Sequence, residues 1–162
     1  MIEFRPATPR DIEFLTSVNI SANEERLSTR EDWDADAFAR DVEASARNQV
    51  AGKVEHSITY VIELDGTAVG RLRLIRPGNE RHVAGIQILP SHQRKGIGSR
   101  VMQRIVDEAQ QSGLPVTLEV EKDNPRAKRL YQRLSFVVIE DRGDRELMST
   151  REVASVAACN SK

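Results

Sequence analysis

From Ser57 to Leu64 the chain is rich in β-branched and aromatic residues, turns on Asp65-Gly66, and alternates apolar and polar residues from Ala68 to Ile75. Two strand-forming runs on either side of an Asp-Gly pair are the sequence form of a β-hairpin. A two-stranded ribbon does not stand alone in water, so the hairpin commits the chain to a larger sheet with a covered face. Pro77-Gly78-Asn79 marks the next turn, and a further run, His82 to Leu89, stops at Pro90, which has no amide to give to a ladder. Ile2 to Arg5 alternates ahead of Pro6 and opens the sheet. Val116 to Glu121 reads as a fifth strand, and Phe136 to Glu140 with Arg145 to Met148 as a closing pair.

Helical spacing fills the gaps. Thr8-Pro9-Arg10-Asp11 reads as an N-cap with proline at the first helical position, followed by Ile12, Leu15, Val18 and Asn19 or Ile20 on one face. Residues 23 to 32 are polar and break that period. Trp33, Ala37, Phe38, Asp41 and Val42 suggest a second helix to about Arg47. Ile97, Val101, Ile105, Val106 and Ala109 lie on one stripe of a helix over residues 96 to 112, and Gly113 stands where a C′ residue is expected. Asn124-Pro125 starts a last helix through Leu134. This order predicts a single α/β domain: a mixed, mostly antiparallel sheet of six to seven strands flanked by about four helices. With no repeat and no linker, residues 1–150 form that domain and 151–162 a flexible tail.

The chain has 162 residues, enough for one sizeable core. Its 24 Lys and Arg stand against 25 Asp and Glu, which gives no general attraction to nucleic acid or anionic membranes. Any anion site must therefore be local. Cys159 has no partner for an internal disulfide, and Met1-Ile2-Glu3-Phe4-Arg5 lacks the apolar run of a secretory signal, which points to the cytoplasm. No stretch approaches the ~20 apolar residues of a membrane span. His56 and His92 lack the spacing of metal ligands, so no metal is expected.

The segment richest in chemistry is Ile86-Gln87-Ile88-Leu89-Pro90-Ser91-His92-Gln93-Arg94-Lys95-Gly96-Ile97-Gly98-Ser99. It sets a strand, a short polar loop and a glycine-bearing helix start in succession. The first amides of a helix have no internal acceptor and carry the positive end of its dipole, so phosphate is a natural partner. Gly96 and Gly98 let the backbone come close, Arg94 and Lys95 add charge, and Ser99 offers a hydroxyl. The pattern is neither Gly-x-Gly-x-x-Gly nor a P-loop.

Here the chain resembles the GNAT superfamily of N-acetyltransferases, whose Gln/Arg-x-x-Gly-x-Gly/Ala signature is met by Gln93-Arg94-Lys95-Gly96-Ile97-Gly98. The segment Leu118 to Phe136 also looks like that superfamily's fifth strand and fourth helix, with Leu134-Ser135-Phe136 where Leu-Gly-Phe is usual. The resemblance is strong over residues 57 to 149. It implies acetyl-coenzyme A as cosubstrate, with the pantetheine arm on backbone groups of Ile86, Ile88 and Leu89 between splayed strands four and five, and the pyrophosphate on amides from Arg94 to Ser99.

By the same resemblance Tyr131 is the acid for the departing thiolate. Two residues compete for the base: Glu119, on the fifth strand, and His82, at the start of the fourth, with a water relay as a third option. Asn124 and Lys128 stand where they can meet the coenzyme, although Asn-Pro is also simply a helix start and Lys128 a solvated charge. Eight acids between Glu24 and Glu43 favour a cationic, small-molecule amine as acceptor. Other readings are a protein lysine or N-terminal acetyltransferase, a non-catalytic acyl-coenzyme A sensor, and a nucleotide-phosphate enzyme on the same amides. Acyl groups other than acetyl and a homodimer both stay open.

Overall fold

The side chains of β2 and β3, the hairpin over Ser57–Leu64 and Thr67–Ile75, alternate between two covered faces, and Val61, Ile62, Val69 and Leu72 are all fully buried. A computed structural model describes residues 1–151, so the expected tail lies, apart from Arg151, outside the described residues. The other elements are β1 (Ile2–Pro6), α1 (Ile12–Leu27), α2 (Ala35–Val50), β4 (Arg81–Ile88), α3 (Ile97–Gln111), β5 (Val116–Glu121), α4 (Pro125–Arg133), β6 (Val137–Asp141) and β7 (Arg145–Ser149). The seven strands form one sheet in the order β1-β2-β3-β4-β5-β7-β6. This is the expected α/β architecture. β4 pairs with β5 in parallel only as Arg81↔Val116, His82↔Thr117 and Val83↔Leu118, and β4 runs on to Ile88 beyond that ladder, the expected splay.

The chain gathers into two units, Met1–Ile75 with Ala84–Gly98, and Arg76–Val83 with the residues from Ser99 onward. In the first, α1 and α2 pack on each other and on β3 and β2 respectively, closing a core around Leu15, Ala46 and Val61. α1 continues through the polar stretch that breaks its period. Asn23 donates to the Asn19 carbonyl 2.9 Å away, and Leu27 buries itself as the last turn closes. Asp34 caps α2 by accepting from the Ala37 amide at 3.0 Å, while Trp33 and Phe38 stack across the start at 5.1 Å, a hydrophobic staple.

In the second unit α4 ends in a Schellman turn. The Phe136 amide returns to the Tyr131 carbonyl at 3.0 Å, which sets Ser135 in the left-handed region at φ 69. A glycine would take that conformation freely, whereas a side chain costs roughly 1 kcal/mol there. None of the helices is long and apolar enough to cross a membrane among the described residues.

The turn into α1 is tied to β1 by charge. Arg5 places two guanidinium nitrogens on Asp11, at 2.8 and 2.9 Å, and its Nε on Glu63 at 3.1 Å; Asp11 also accepts from the Thr8 amide. The Arg5 guanidinium holds the Asp11 carboxyl down at about 2. The folded value lies below the ordinary one, so the stabilisation is complete above about pH 4 and is lost as pH falls through about 2. Asp11→Asn should therefore cost about 1–2 kcal/mol at neutral pH, after allowance for screening at the half-exposed Arg5. Urea unfolding should find that difference shrinking between about pH 4 and pH 2; a difference independent of pH would reject the ion pair as its source.

Candidate functional site

After β4 the chain makes a short 3-10 turn at Pro90–His92 and reaches α3 through Gln93–Gly96. Gln93 turns back, its Nε2 donating to the Ile88 carbonyl at 2.9 Å, and so fixes the loop to the end of β4. Arg94 and Gly96 both adopt positive φ, 62 and 77, on either side of Lys95. Alternating hand in successive residues turns neighbouring amides toward one side, the backbone nest that binds anions. Among the described residues no loop or turn bond uses the amides of Arg94, Lys95, Gly96 or Ile97. Open space surrounds Gly96, with no atom within 4 Å of where a Cβ would stand. The side chains of Arg94 and Lys95 are exposed and make no ion pair among the described residues. Gly98 and Ser99 complete the first turn. The chemistry of this donor set fits a diphosphate.

Of the strand groups proposed for the pantetheine arm, two are already engaged. The Ile88 carbonyl receives Gln93, and the Leu89 amide donates to the Val69 carbonyl at 2.9 Å. Ile86 carries no side-chain or loop bond.

The proton-transfer candidates all belong to the second unit. The Tyr131 ring is buried against Phe136, 5.9 Å between centroids. Burial pushes its phenol up to about 12, so it is protonated at any working pH. Its hydroxyl has no hydrogen-bond partner among the described residues, yet no fully buried side-chain polar atom there lacks one, so the oxygen must reach the surface. That suits a donor awaiting an acceptor.

His82 and Glu119 differ. Glu119 is exposed on β5 and faces Arg142, Nη1 to Oε1 3.4 Å. His82 sits half-buried opposite Thr117 across the parallel ladder, its Nδ1 2.8 Å from the Thr117 hydroxyl oxygen. That hydroxyl donates its one proton to Glu80 at 3.0 Å, because a carboxylate can only accept. Toward His82 it must then accept. The proton of the neutral imidazole is thereby assigned to Nδ1, and the lone pair is left on Nε2. Neither Glu80 nor Thr117 stands out in the sequence; the ladder register is what brings Thr117 to His82 and to Glu80, two residues before His82.

Asn124 accepts from the Ala127 amide at 3.3 Å and caps α4, while Lys128 reaches Glu146 at 2.8 Å and ties α4 to β7. Both side chains thus have structural work inside the second unit. In the first unit, a cluster of buried Arg71 with half-buried Gln49 and Gln87 also escapes sequence reading, since Arg71 looks like an ordinary alternating strand residue.

The family model described as the acetyltransferase (GNAT) family matches residues 19–136. The chain is 37% identical over 54 residues to the L-amino acid N-acyltransferase MnaT of Escherichia coli, covering 33% of this chain and 31% of that one. It is 33% identical over 108 residues to the N-alpha-acetyltransferase RimI of Mycobacterium tuberculosis, covering 64% and 61%. The match thus spans about a third of one relative and under two thirds of the other. The fold superimposes on the PaiA N-acetyltransferase of Thermoplasma acidophilum in complex with coenzyme A at TM-score 0.78, 17% identity, and 93% and 99% coverage. Against the spermidine N-acetyltransferase of Vibrio cholerae in complex with coenzyme A and spermine the TM-score is 0.62, with 20% identity and 91% and 92% coverage.

The hydrogen-bond arithmetic at His82 is open to test. Nitrogen-15 spectra of the neutral ring should show the Nδ1–H form, and Thr117→Val should shift it toward the mixture of a solvated imidazole. The same tautomer in both proteins would reject the Thr117 bond as its cause.

Proposed function

This chain belongs to the acetyltransferase (GNAT) family, and from that premise we propose that it transfers an acetyl group from acetyl-coenzyme A directly to the amine of a small molecule. The observation that carries the reading is the nest ahead of α3: positive φ at Arg94 and Gly96, amides without turn or loop partners, and two exposed cations beside them. Amides from Arg94 to Ser99 bind the pyrophosphate in this reading, with backbone groups of Ile86, Ile88 and Leu89 along the arm. Asn124 and Lys128 serve the coenzyme by fixing α4. Neighbours of the same fold hold coenzyme A, one of them with spermine, and a relative acts on L-amino acids, which supports a small amine. We assign the activity to residues 1–150 and to the cytoplasm.

The cosubstrate supplies a thioester carbonyl. The amine must lose a proton, so His82 takes it on Nε2, the atom the Glu80–Thr117 chain leaves bare. As the new C–N bond forms and the C–S bond breaks, Tyr131 gives its phenolic proton to the sulfur. The proton lost by the amine and the proton gained by the thiol balance, and no covalent enzyme intermediate is needed. We favour His82 over Glu119 because the carboxylate of Glu119 faces Arg142 on an exposed surface.

Incubation with acetyl-coenzyme A and a panel of amines should release free thiol, and release with none of them would overturn the enzymatic reading. Tyr131→Phe should slow turnover roughly 10²-fold with coenzyme binding retained, whereas Gly98→Glu should remove that binding. Because burial holds the Tyr131 phenol up at about 12, it imposes no loss of rate between about pH 8 and 10. A falling limb there that disappears in Tyr131→Phe would contradict its role as a protonated acid.

A further inference from the structure

His82 and Glu119 share one face of the sheet. His82 lies opposite Thr117 on β5, and Glu119, two residues on from Thr117, points to the same side. On β7 Ser149 lies opposite Thr117 and Leu147 opposite Glu119, and on β6 Glu140 lies opposite Leu147. One rung of that face therefore runs His82–Thr117–Ser149, and the next Glu119–Leu147–Glu140. A strand rises ~3.3 Å per residue, so the rungs stand about 7 Å apart. The opposite face of β5 carries the buried Leu118 and Val120. Glu146, opposite Val120, is tied there to Lys128 of α4, so α4 and its Tyr131 belong to that second face. The acid for the thiolate and the base for the amine thus lie on different faces, which leaves the His82 face to the acceptor.

Arg142 bridges the second rung unevenly. Its Nε donates to Glu140 Oε2 at 3.0 Å, with Nη2 2.9 Å from the same oxygen, whereas Nη1 meets Glu119 Oε1 only at 3.4 Å. Glu119 Oε2 has no partner among the described residues. Between exposed side chains so long a contact contributes little, and another cation can take its place at Glu119. Glu140 keeps hold of Arg142 in that exchange.

We propose that Glu119 binds a second positive charge of the acceptor in exchange for Arg142, so that the substrate is a diamine whose nitrogens span the two rungs. This rests on the acetyltransferase reading with His82 as the base. One nitrogen meets His82 Nε2 and is acetylated; the other meets Glu119, about 7 Å further along β5. A carboxylate only accepts and an ammonium only donates, so the second nitrogen and Glu119 Oε2 satisfy each other. Leu147, half-buried beside Glu119, offers apolar surface to the alkyl chain.

The test compares diaminobutane with butylamine as acceptors. After allowance for its two equivalent nitrogens, the diamine should be favoured in wild-type kcat/KM by roughly threefold or more, the worth of an ion pair at a partly exposed carboxylate. Glu119→Gln should bring that preference to about one by raising the diamine KM. Arg142→Met removes the competing cation and should lower the same KM roughly threefold. The two variants break one ion pair from opposite ends, so a merely structural role would move both the same way. Calorimetry on the coenzyme A complex gives a readout free of turnover: wild type should bind diaminobutane more tightly than butylamine, and Glu119→Gln should bind the two alike. Equal use and equal binding of both amines by wild type, or a preference unmoved in Glu119→Gln, would overturn the proposal. So would a diamine KM raised in Arg142→Met, or a loss of kcat with both amines in Glu119→Gln, which is the mark of a base. Preferential diamine binding with neither amine acetylated would keep the Glu119 site and reject the enzymatic reading instead.

Discussion

The amides that open α3 have no carbonyl to reach within the helix, and the loop before them is shaped so that they stay that way. Continuous right-handed backbone through Gln93–Gly96 would have pointed those donors into the turn. Positive φ at Arg94 and Gly96 turns them outward, and the left-handed Arg94 stores strain of roughly 1 kcal/mol. Gln93 keeps the loop from relaxing by holding the Ile88 carbonyl. Chain neutrality matters here as well. A protein of net charge −1 attracts anions only where donors are grouped, and this loop groups both backbone and side-chain donors within a few residues.

What was legible in the sequence was local. Asp65-Gly66 announces its hairpin because few other residues accept φ 51 and 84 in succession. Val116 to Glu121 forms the strand its alternation predicts, and the glycine loop declares itself through Gly96 and Gly98. The end of α1 was not legible, because its last turns are held by a side-chain bond from Asn23 and by the burial of Leu27, and neither shows in apolar spacing. Ser135 is a middle case. The Leu-Ser-Phe departure signals a turn that carries a side chain, and the turn indeed carries it at φ 69.

The polar networks were illegible for a different reason. His82 and Thr117 are 35 positions apart and meet through the register of a three-pair parallel ladder. Nothing in period-two patterning fixes that register. Arg71, Gln49 and Gln87 come from β3, α2 and β4 and are likewise unremarkable one at a time. Sequence reading weighed His82 and Glu119 equally as bases because it saw residue type and position alone. In the fold their partners differ, a hydroxyl that accepts from the ring in one case and a guanidinium in the other.

Those partners also divide the arginines by role. Arg5 lies between Asp11 and Glu63, and its charge serves to lock the entry to α1. Arg71 is more deeply buried and, among the described residues, donates to amide oxygens only. If burial alone had governed its placement, an apolar strand residue would have filled β3 at lower cost, as Val69 does one step earlier on the same face. Amide partners orient a guanidinium without cancelling its charge, which leaves its attraction for an anion intact.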